Sequence, residues 1–452
     1  MKIVISHVYS AHNNGDAAIL SAQIDQLRCA FEGAELHILS VDVIEDGCTF
    51  EGVPVSNSLM YPAVSPVNGR LKKLLAALTM MVCTAIWAGV FRISRLALPL
   101  PRPWREPARI LAESDMQICV GGGYLRARED LISTIMLVLM FHQVWLAKAL
   151  GKPVYLYAQS FGPYPGLVQR KVASIGLGYA DRILVRETRS KELLAGLGLT
   201  GDRVVQVPDS AFLFQPRLGF DARPLLGTGE PDEKVVGVTV RTWLQGTRQQ
   251  AYEQAMAEFI DHLSRRGGLR IAVIAQVTAV HQNDDDRVVG RRIQQLLGPR
   301  SNVVFLEQRF THHEIKSVFA NLDYLVGTRF HSVIFALTAG VPAVAIEYEH
   351  KTSGVMRDLG LETWVLPIED VTAGRLIELF DALVLRRETY VRQLRQIVPG
   401  YVTQAAEAAA IIKRTYHRSQ RIPVDAGMGT AGALGTASEP TASTYEPTAS
   451  VR

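Results

Sequence analysis

Short runs of β-branched and apolar residues, each followed by a longer stretch with helical spacing, constrain this chain more than any other feature. In the first half the runs are KIVISHVY, AELHILSVD, MQICVGGG, KPVYLYAQS, RILVRE and RVVQVPD; in the second they are VVGVTVRTW, RIAVIAQVT, NVVFLEQ, DYLVGTRFH and VPAVAIEY. Near-continuous apolar runs suit strands covered on both faces, and strands that alternate with helices build parallel sheets. The chain therefore reads as α/β. Between the two series, LFQPRLGFDARPLLGTGEPDEK brings Pro and Gly without periodicity and reads as a linker. At 452 residues the chain is too long for one ordinary core. The organisation expected is an amino-terminal Rossmann-like domain over 1–215, a linker over 216–234 and a carboxyl-terminal Rossmann-like domain over 235–400, with a cleft between the two. A closing helix is expected over 401–420. The low-complexity stretch 421–452 holds too few large apolar side chains to offset its ordering entropy and is expected to be disordered.

One segment, within an insert over about 70–110, breaks the pattern. LLAALTMMVCTAIWAGVF, from Leu74 to Phe91, carries no charge and is flanked by Lys72, Lys73, Arg92 and Arg95. Its length just reaches that of a bilayer span. A single span would put HNNGD and GGGYL on opposite sides of a membrane, although both belong to strands of one sheet, so spanning is excluded. Two placements remain: a helix packed on its domain, or one lying in a membrane interface with its Lys and Arg side chains toward lipid phosphates. LISTIMLVLMFHQVWLAKAL is similarly apolar, but His142 and Gln143 interrupt it and it reads as a core helix.

A net charge of +4, with no compact basic run or aromatic-interleaved groove, argues against a nucleic-acid partner. An anionic small molecule or a lipid surface fits it equally well. The four cysteines, Cys29, Cys48, Cys83 and Cys119, form neither a C-x-x-C pair nor a zinc spacing. We therefore expect a reduced, cytoplasmic compartment, with peripheral contact at the inner face of the plasma membrane if the apolar segment meets lipid, and no protein-built metal site. The first residues read as a strand rather than a signal peptide.

Ligands of parallel sheets gather beyond the carboxyl ends of strands, and the polar clusters of this chain fall there. After the first strand, HNNGDAAIL offers Asn14 and Gly15 for a tight turn and Asp16 as the cap of a helix whose N–H groups attract anions. Gly121, Gly122 and Gly123 in VGGGYL allow close backbone approach to a bound group, although the run is not a dinucleotide fingerprint. Gln159 and Ser160 follow a strand in YAQSFGPYPG. Arg186 ends another in RILVRE, where a surface ion pair with Glu187 or Asp181 is the commoner fate, and Arg241 repeats that geometry in the second half. In GTRFHSVIFALTAGVPAVAIEYEHK, RFH leaves a strand, so two-residue alternation points Arg329 and His331 together into the cleft. Arginine offers a planar fork for phosphate or carboxylate, and histidine exchanges protons near neutral pH. Lys351, beyond the next strand, can close over the same anion. The acidic run NDDD, Asn283 to Asp286, reads as a solvated loop and helix amino terminus rather than a metal site.

Taken in order, NNGDAAIL, GGGYL, QSFGP, VRETRSKELL, PDSAF and the long block from Gly327 to Lys351 resemble the polysaccharide pyruvyl transferase family, across most of residues 1–365. The resemblance implies a glycosyltransferase-B-like fold. It also implies transfer of a pyruvyl group from phosphoenolpyruvate to a sugar or lipid-linked oligosaccharide, closing a cyclic ketal across two hydroxyls in exopolysaccharide assembly. It carries the family's Asp of N-x-G-D onto Asp16, its donor-binding Arg onto Arg186, with Arg241 competing for that role, and its R-x-H onto Arg329 and His331. Tyr124, Leu125 and Arg126 stand where the family often has an acidic or amide residue. On this expectation His331 is a general acid, Asp16 a base toward a hydroxyl, and no cofactor is needed beyond the donor. A nucleotide-sugar glycosyltransferase of the same fold and a non-catalytic assembly subunit are the alternatives.

Overall fold

The computed structural model describes residues 1–9, 12–41, 47–60, 70–94, 98–216, 219–227, 233–279 and 284–421. The tail expected from 421 onward therefore falls, except for its first residue, outside the described residues.

Two parallel sheets organise the chain, one in each lobe. The first runs in the order Thr49–Phe50, Val53–Asn57, Glu35–Ser40, Lys2–Val8, Met116–Cys119, Val154–Phe161, Arg182–Val185, Val204–Gln206, with Gly122–Leu125 also pairing on Val154–Phe161. Only Thr49–Phe50 runs antiparallel to its neighbour, as a hairpin. All eight residues of Val154–Phe161 are buried, which is why this central strand reads as an apolar run without alternation. The second sheet is parallel throughout, in the order Val303–Leu306, Leu269–Ile274, Lys234–Thr239, Tyr324–Gly327, Ala343–Glu347, Val365–Pro367. Every apolar run singled out in the sequence is a strand. The unread pieces, such as the hairpin, Gly122–Leu125 and Val365–Pro367, are too short to establish a period.

Two boundaries differ from the expectation. The segment taken as a linker is packed in part, since Ala222 and Leu226 are buried beside the short helix Arg223–Leu226. The closing helix begins well before 401, running unbroken over Arg387–Arg421 with Pro399 inside it. Tyr390, Leu394, Val398, Tyr401, Ala405, Ala408 and Ile412 form one buried stripe at helical spacing, and its packing outweighs the roughly 3 kcal/mol that an interior proline costs. The second part of this helix returns to the first lobe. There Tyr416 meets Phe31 edge-on at 6.4 Å, Thr415 accepts a 3.1 Å hydrogen bond from Arg182, and Tyr401 packs on Phe212 at 5.0 Å.

The apolar segment lies in the helix Arg70–Ser94, packed along one face only. Ala77, Met80, Thr84, Trp87 and Ala88 are buried, and the Thr84 hydroxyl lies 2.8 Å from Nε2 of His142 on the helix Leu131–Ala149. By length and composition alone both helices are capable of crossing a membrane. The second is the core helix that its sequence suggested, its buried residues running from Leu137 to Ala147.

Candidate active site

A cavity of about 1090 Å³ opens between the lobes, at the carboxyl ends of strands from both sheets. From the first lobe Asn13 caps the helix Asn14–Ala30, its side chain accepting from the amides of Gly15 (3.1 Å) and Asp16 (3.5 Å). Asn14 and Gly15 are thus the first helical residues rather than a turn, and Asp16 is not the cap. Asp16 faces the cavity and accepts a 2.9 Å hydrogen bond from Asn13. Burial pushes its carboxyl upward, against the pull of His331, Lys351 and Arg186. Asn14 reaches the other lobe instead, donating to the carbonyl of Gln276 at 3.0 Å. Gly15 marks a close touch between the lobes, because a Cβ there would lie 2.0 Å from Nδ1 of His331.

The three glycines differ in role. Gly121 packs against the protein's own strand, where a Cβ would meet the carbonyl oxygen of Tyr157 at 2.9 Å. Gly122 has φ of 146°, a backbone that side chains rarely adopt. Gly123 faces cations: a Cβ built on it would sit 3.5 Å from Nη2 of Arg186 and 3.6 Å from Nζ of Lys351. Gln159 braces this loop from behind, donating to the carbonyls of Val120 (2.7 Å) and Cys119 (3.3 Å) and to the Tyr124 hydroxyl. Ser160 accepts from Nε of Arg186 at 2.6 Å and donates to Glu187 at 2.8 Å. Both are positioning residues, and neither lines the cavity.

Arg186 is fully buried, so the surface ion pair is overturned. Asp181 pairs with Lys148 instead. Arg186 donates through Nη1 to Asp209 at 2.5 Å and lies 3.6 Å from Glu187. Its Nη2 has no hydrogen-bond partner among the described residues. Burial alone would raise the Asp209 carboxyl, yet Arg186 and His331 hold it well below the usual carboxylate range.

In the second lobe the alternation argument fails. The strand Tyr324–Gly327 ends two residues before Arg329, which is the cap position of the helix Phe330–Thr338, and His331 is already helical. Helical rotation turns the two side chains apart. Arg329 lines the cavity, but its guanidinium donates to Asp284 (3.0 Å from Nη1) and Asp286 (2.9 Å from Nε). Burial disfavours its charge, and the two carboxylates more than reverse that; burial likewise raises Asp284, and Arg329 brings it below its ordinary value. Asp284 and Asp286 are therefore paired rather than solvated, although the run does form a helix amino terminus as expected; Asn283 lies outside the described residues. Asp286 is buried at the start of the helix Asp286–Leu297, with Asp285 as its cap. His331 sits behind Gly15, 3.8 Å from Asp209, its Nε2 without a hydrogen-bond partner among the described residues; like Arg186 it lies behind the cavity wall rather than in its lining.

Lys351, in the first turn of the helix His350–Asp358, reaches the cavity with Nζ 2.8 Å from Glu349. Arg241 lies over the rings of Tyr348 (4.0 Å) and Trp243 (4.8 Å), 3.6 Å from Asp284. Burial first, then Arg186, Arg126 and Arg241, bring the Lys351 ammonium down to about 8, against the pull of Tyr348. Burial opposes ionisation of Tyr348, but Lys351, Arg241 and Arg329 outweigh it and bring the phenol down to about 8.

Sequence reasoning missed Arg126, which pairs with Glu349 across the cleft, Arg128 over Trp243 at 5.5 Å, and Tyr348 itself. The signal was present: Tyr348 and Glu349 stand in the quoted EYEHK block, and Arg126 and Arg128 follow the glycines. One group unforeseen in the sequence, Glu51, His312 and His313, brings three ligand-type atoms within 4.8 Å of one another, with both His Nε2 atoms 3.2 Å from Glu51.

Two Rossmann-like lobes closing on a cation-lined cleft define the class: an α/β enzyme of glycosyltransferase-B-like architecture. Solved structures share the fold. A Staphylococcus aureus MnaA–UDP complex superposes with a TM-score of 0.58 at 12% identity, covering 93% of this chain and 98% of that one. A sucrose-phosphate synthase from Thermosynechococcus elongatus gives 0.54 at 13% identity, covering 93% and 99%. The profile of the polysaccharide pyruvyl transferase family matches residues 13–350, and the chain belongs to that family. The amylovoran biosynthesis protein AmsJ of Erwinia amylovora is similar to it, 26% identical over 409 residues that cover 88% of this chain and 95% of that protein.

Proposed function

We propose that the protein transfers the pyruvyl group of phosphoenolpyruvate to two hydroxyls of an exopolysaccharide sugar, free or lipid-linked, forming a cyclic ketal. The observation that carries this reading is the buried Nη2 of Arg186, without a hydrogen-bond partner among the described residues, beside Gly123 and Lys351. Phosphoenolpyruvate bears a carboxylate and a phosphate, which call for two or three cations in one desolvated place. Lys351 and Arg241 supply them from the cavity wall and Arg186 from behind Gly123, whereas Arg329 has given its fork to Asp284 and Asp286 and acts as a positioning residue. The membership of the pyruvyl transferase family and the likeness to AmsJ support the exopolysaccharide setting. Work in the cytoplasm suits four cysteines that are all free thiols.

The chemistry needs one proton on the methylene carbon, two new C–O bonds at the adjacent carbon and loss of the phosphate bond. His331, whose Nε2 lies 3.8 Å from Asp209 without a hydrogen-bond partner among the described residues, supplies the proton that makes the methyl group. The first sugar hydroxyl then bonds to the electrophilic carbon while Asp16, its carboxylate raised by burial, takes the hydroxyl proton. The second hydroxyl adds as phosphate departs, and its proton leaves with the phosphate.

The test is release of inorganic phosphate from phosphoenolpyruvate in the presence of candidate repeat-unit acceptors. Release that requires both substrates, with Arg186→Lys raising the donor KM about tenfold or more, is expected. Release of a nucleoside diphosphate from a sugar nucleotide, with no phosphate from phosphoenolpyruvate, overturns the reading in favour of a glycosyltransferase.

A further inference from the structure

The face of the helix Arg70–Ser94 that turns away from its domain is an apolar stripe. Leu75, Leu78, Val82, Ile86 and Ile93 recur at helical spacing and are all exposed, Val82 by 58% and Ile93 by 88%. Two contacts set the register with the helix Leu131–Ala149: Thr84 meets His142, and Arg92 donates to the carbonyl of Ala149 at 3.1 Å. The helices therefore run the same way, and Leu75 and Leu78 lie near the start of the second, where Leu131 is 74% exposed and Ile132 is exposed as well. Gln169 donates to Thr134 at 2.9 Å, which brings the helix Leu167–Gly178 to the other flank, with Leu167 86% exposed and Val168 beside it. Ile132 also lines the catalytic cavity. Three adjacent helices thus expose apolar side chains that converge on the cavity mouth, well beyond the single exposed residues of an ordinary surface.

Charge selects the occupant. The helix Arg70–Ser94 contains no acidic residue, and Lys72 and Arg92 stand exposed at its ends, with Lys73 half-buried beside Lys72. In a two-fold pairing of this face with a second copy, those cations would meet one another with no carboxylate from the helix between them. A bilayer with anionic headgroups satisfies both the stripe and its basic ends. We infer that this face docks peripherally on an anionic lipid surface, the helix lying in the interface and the cavity mouth held at the membrane. The docking itself is independent of the chemistry proposed for the cavity.

Flotation of the full chain with phosphatidylcholine vesicles, with and without phosphatidylglycerol, tests it in the absence of any substrate. Binding to the phosphatidylglycerol vesicles, weakened about tenfold or more by Val82→Glu combined with Ile86→Glu and reduced by Lys72→Glu with Lys73→Glu, is the result expected. Unchanged thermal unfolding of these surface variants shows that they fold, and Leu131→Glu with Leu167→Glu provides an independent pair on the other two helices. Failure of the wild-type chain to float, or binding indifferent to both apolar pairs, overturns the proposal. So does a wild-type dimer in solution that the Val82/Ile86 pair converts to monomer without any vesicle binding, which assigns the face to a second copy.

Discussion

Arg329 shows how far a single side chain can be read and where reading stops. Its presence in the Gly327–Lys351 block was plain, but its two partners are 45 and 43 positions away, in a run that composition alone presents as solvated. Proximity across such gaps follows from the fold and not from local pattern. Removing the guanidinium leaves the buried Asp286 without its cationic partner and Asp284 with Arg241 alone, 3.6 Å away. Arg329→Ala is expected to cost about 3–5 kcal/mol in equilibrium urea unfolding, and adding Asp286→Asn should recover part of that loss. Recovery of nothing would mean that the arginine stabilises by packing rather than by its charge. His331 makes a contrasting case. Buried behind Gly15, it helps hold the Asp209 carboxylate but makes no hydrogen bond through Nε2 to the described residues, so the size-matched His331→Gln should lower kcat about 10²–10⁴-fold with donor KM little changed.

Secondary-structure elements were the most legible scale, and for a physical reason. Strands buried on both faces carry their own signature, as KPVYLYAQS does, whereas two- and three-residue strands carry none. Pro399 lies inside the helix Arg387–Arg421, where a buried stripe outweighs the local rule against an interior proline. The end of the first strand held a further surprise in His7, with φ of 64°, its Nδ1 2.9 Å from the Ser6 hydroxyl and its Nε2 3.0 Å from the carbonyl of Met140. Nε2 can only donate to a carbonyl, so the ring is held in one neutral tautomer. Burial lowers His7 to about 4, the Met140 bond opposing, and burial lowers His142 to about 4 as well. A depressed imidazole contributes stability above its unfolded value of about 6.5 and loses it as pH falls toward the folded value, because only the unfolded chain binds the proton there. Stability should therefore drop between pH 6.5 and 4, by up to about 3 kcal/mol from His7 alone. His7→Asn, which tolerates the left-handed backbone, should flatten the urea midpoint against pH over that range. A slope as steep as the wild type's would show that other groups control acid sensitivity.

At the scale of the whole molecule the two-lobed plan was readable from the repeated strand series, but the contacts that set the lobes against each other were not, since each joins residues far apart in sequence through loops and helix ends. Asn14 donates to the Gln276 carbonyl, and the Thr278 amide donates to the carbonyl of His12 at 3.1 Å. The third joint is a helix cap lent by the opposite lobe. The cap residue of the helix Thr188–Ala195, Glu187, makes no side-chain capping bond. Instead Oδ2 of Asp358, at the end of the helix His350–Asp358, accepts from the amide of Thr188 and from Nε2 of Gln206, both at 3.0 Å. An N-cap contributes about 1 kcal/mol, and here that contribution exists only while the lobes are together. Asp358→Ala should therefore shift the population toward an open cleft, seen as a larger radius of gyration in small-angle scattering and a donor KM raised about fivefold. Asp358 does not line the cavity, so kcat at saturating donor should stay close to that of the wild type. An unchanged scattering curve and KM would show instead that the lobes are held by the terminal helix Arg387–Arg421, which crosses from one to the other, and that the borrowed cap serves only its own helix.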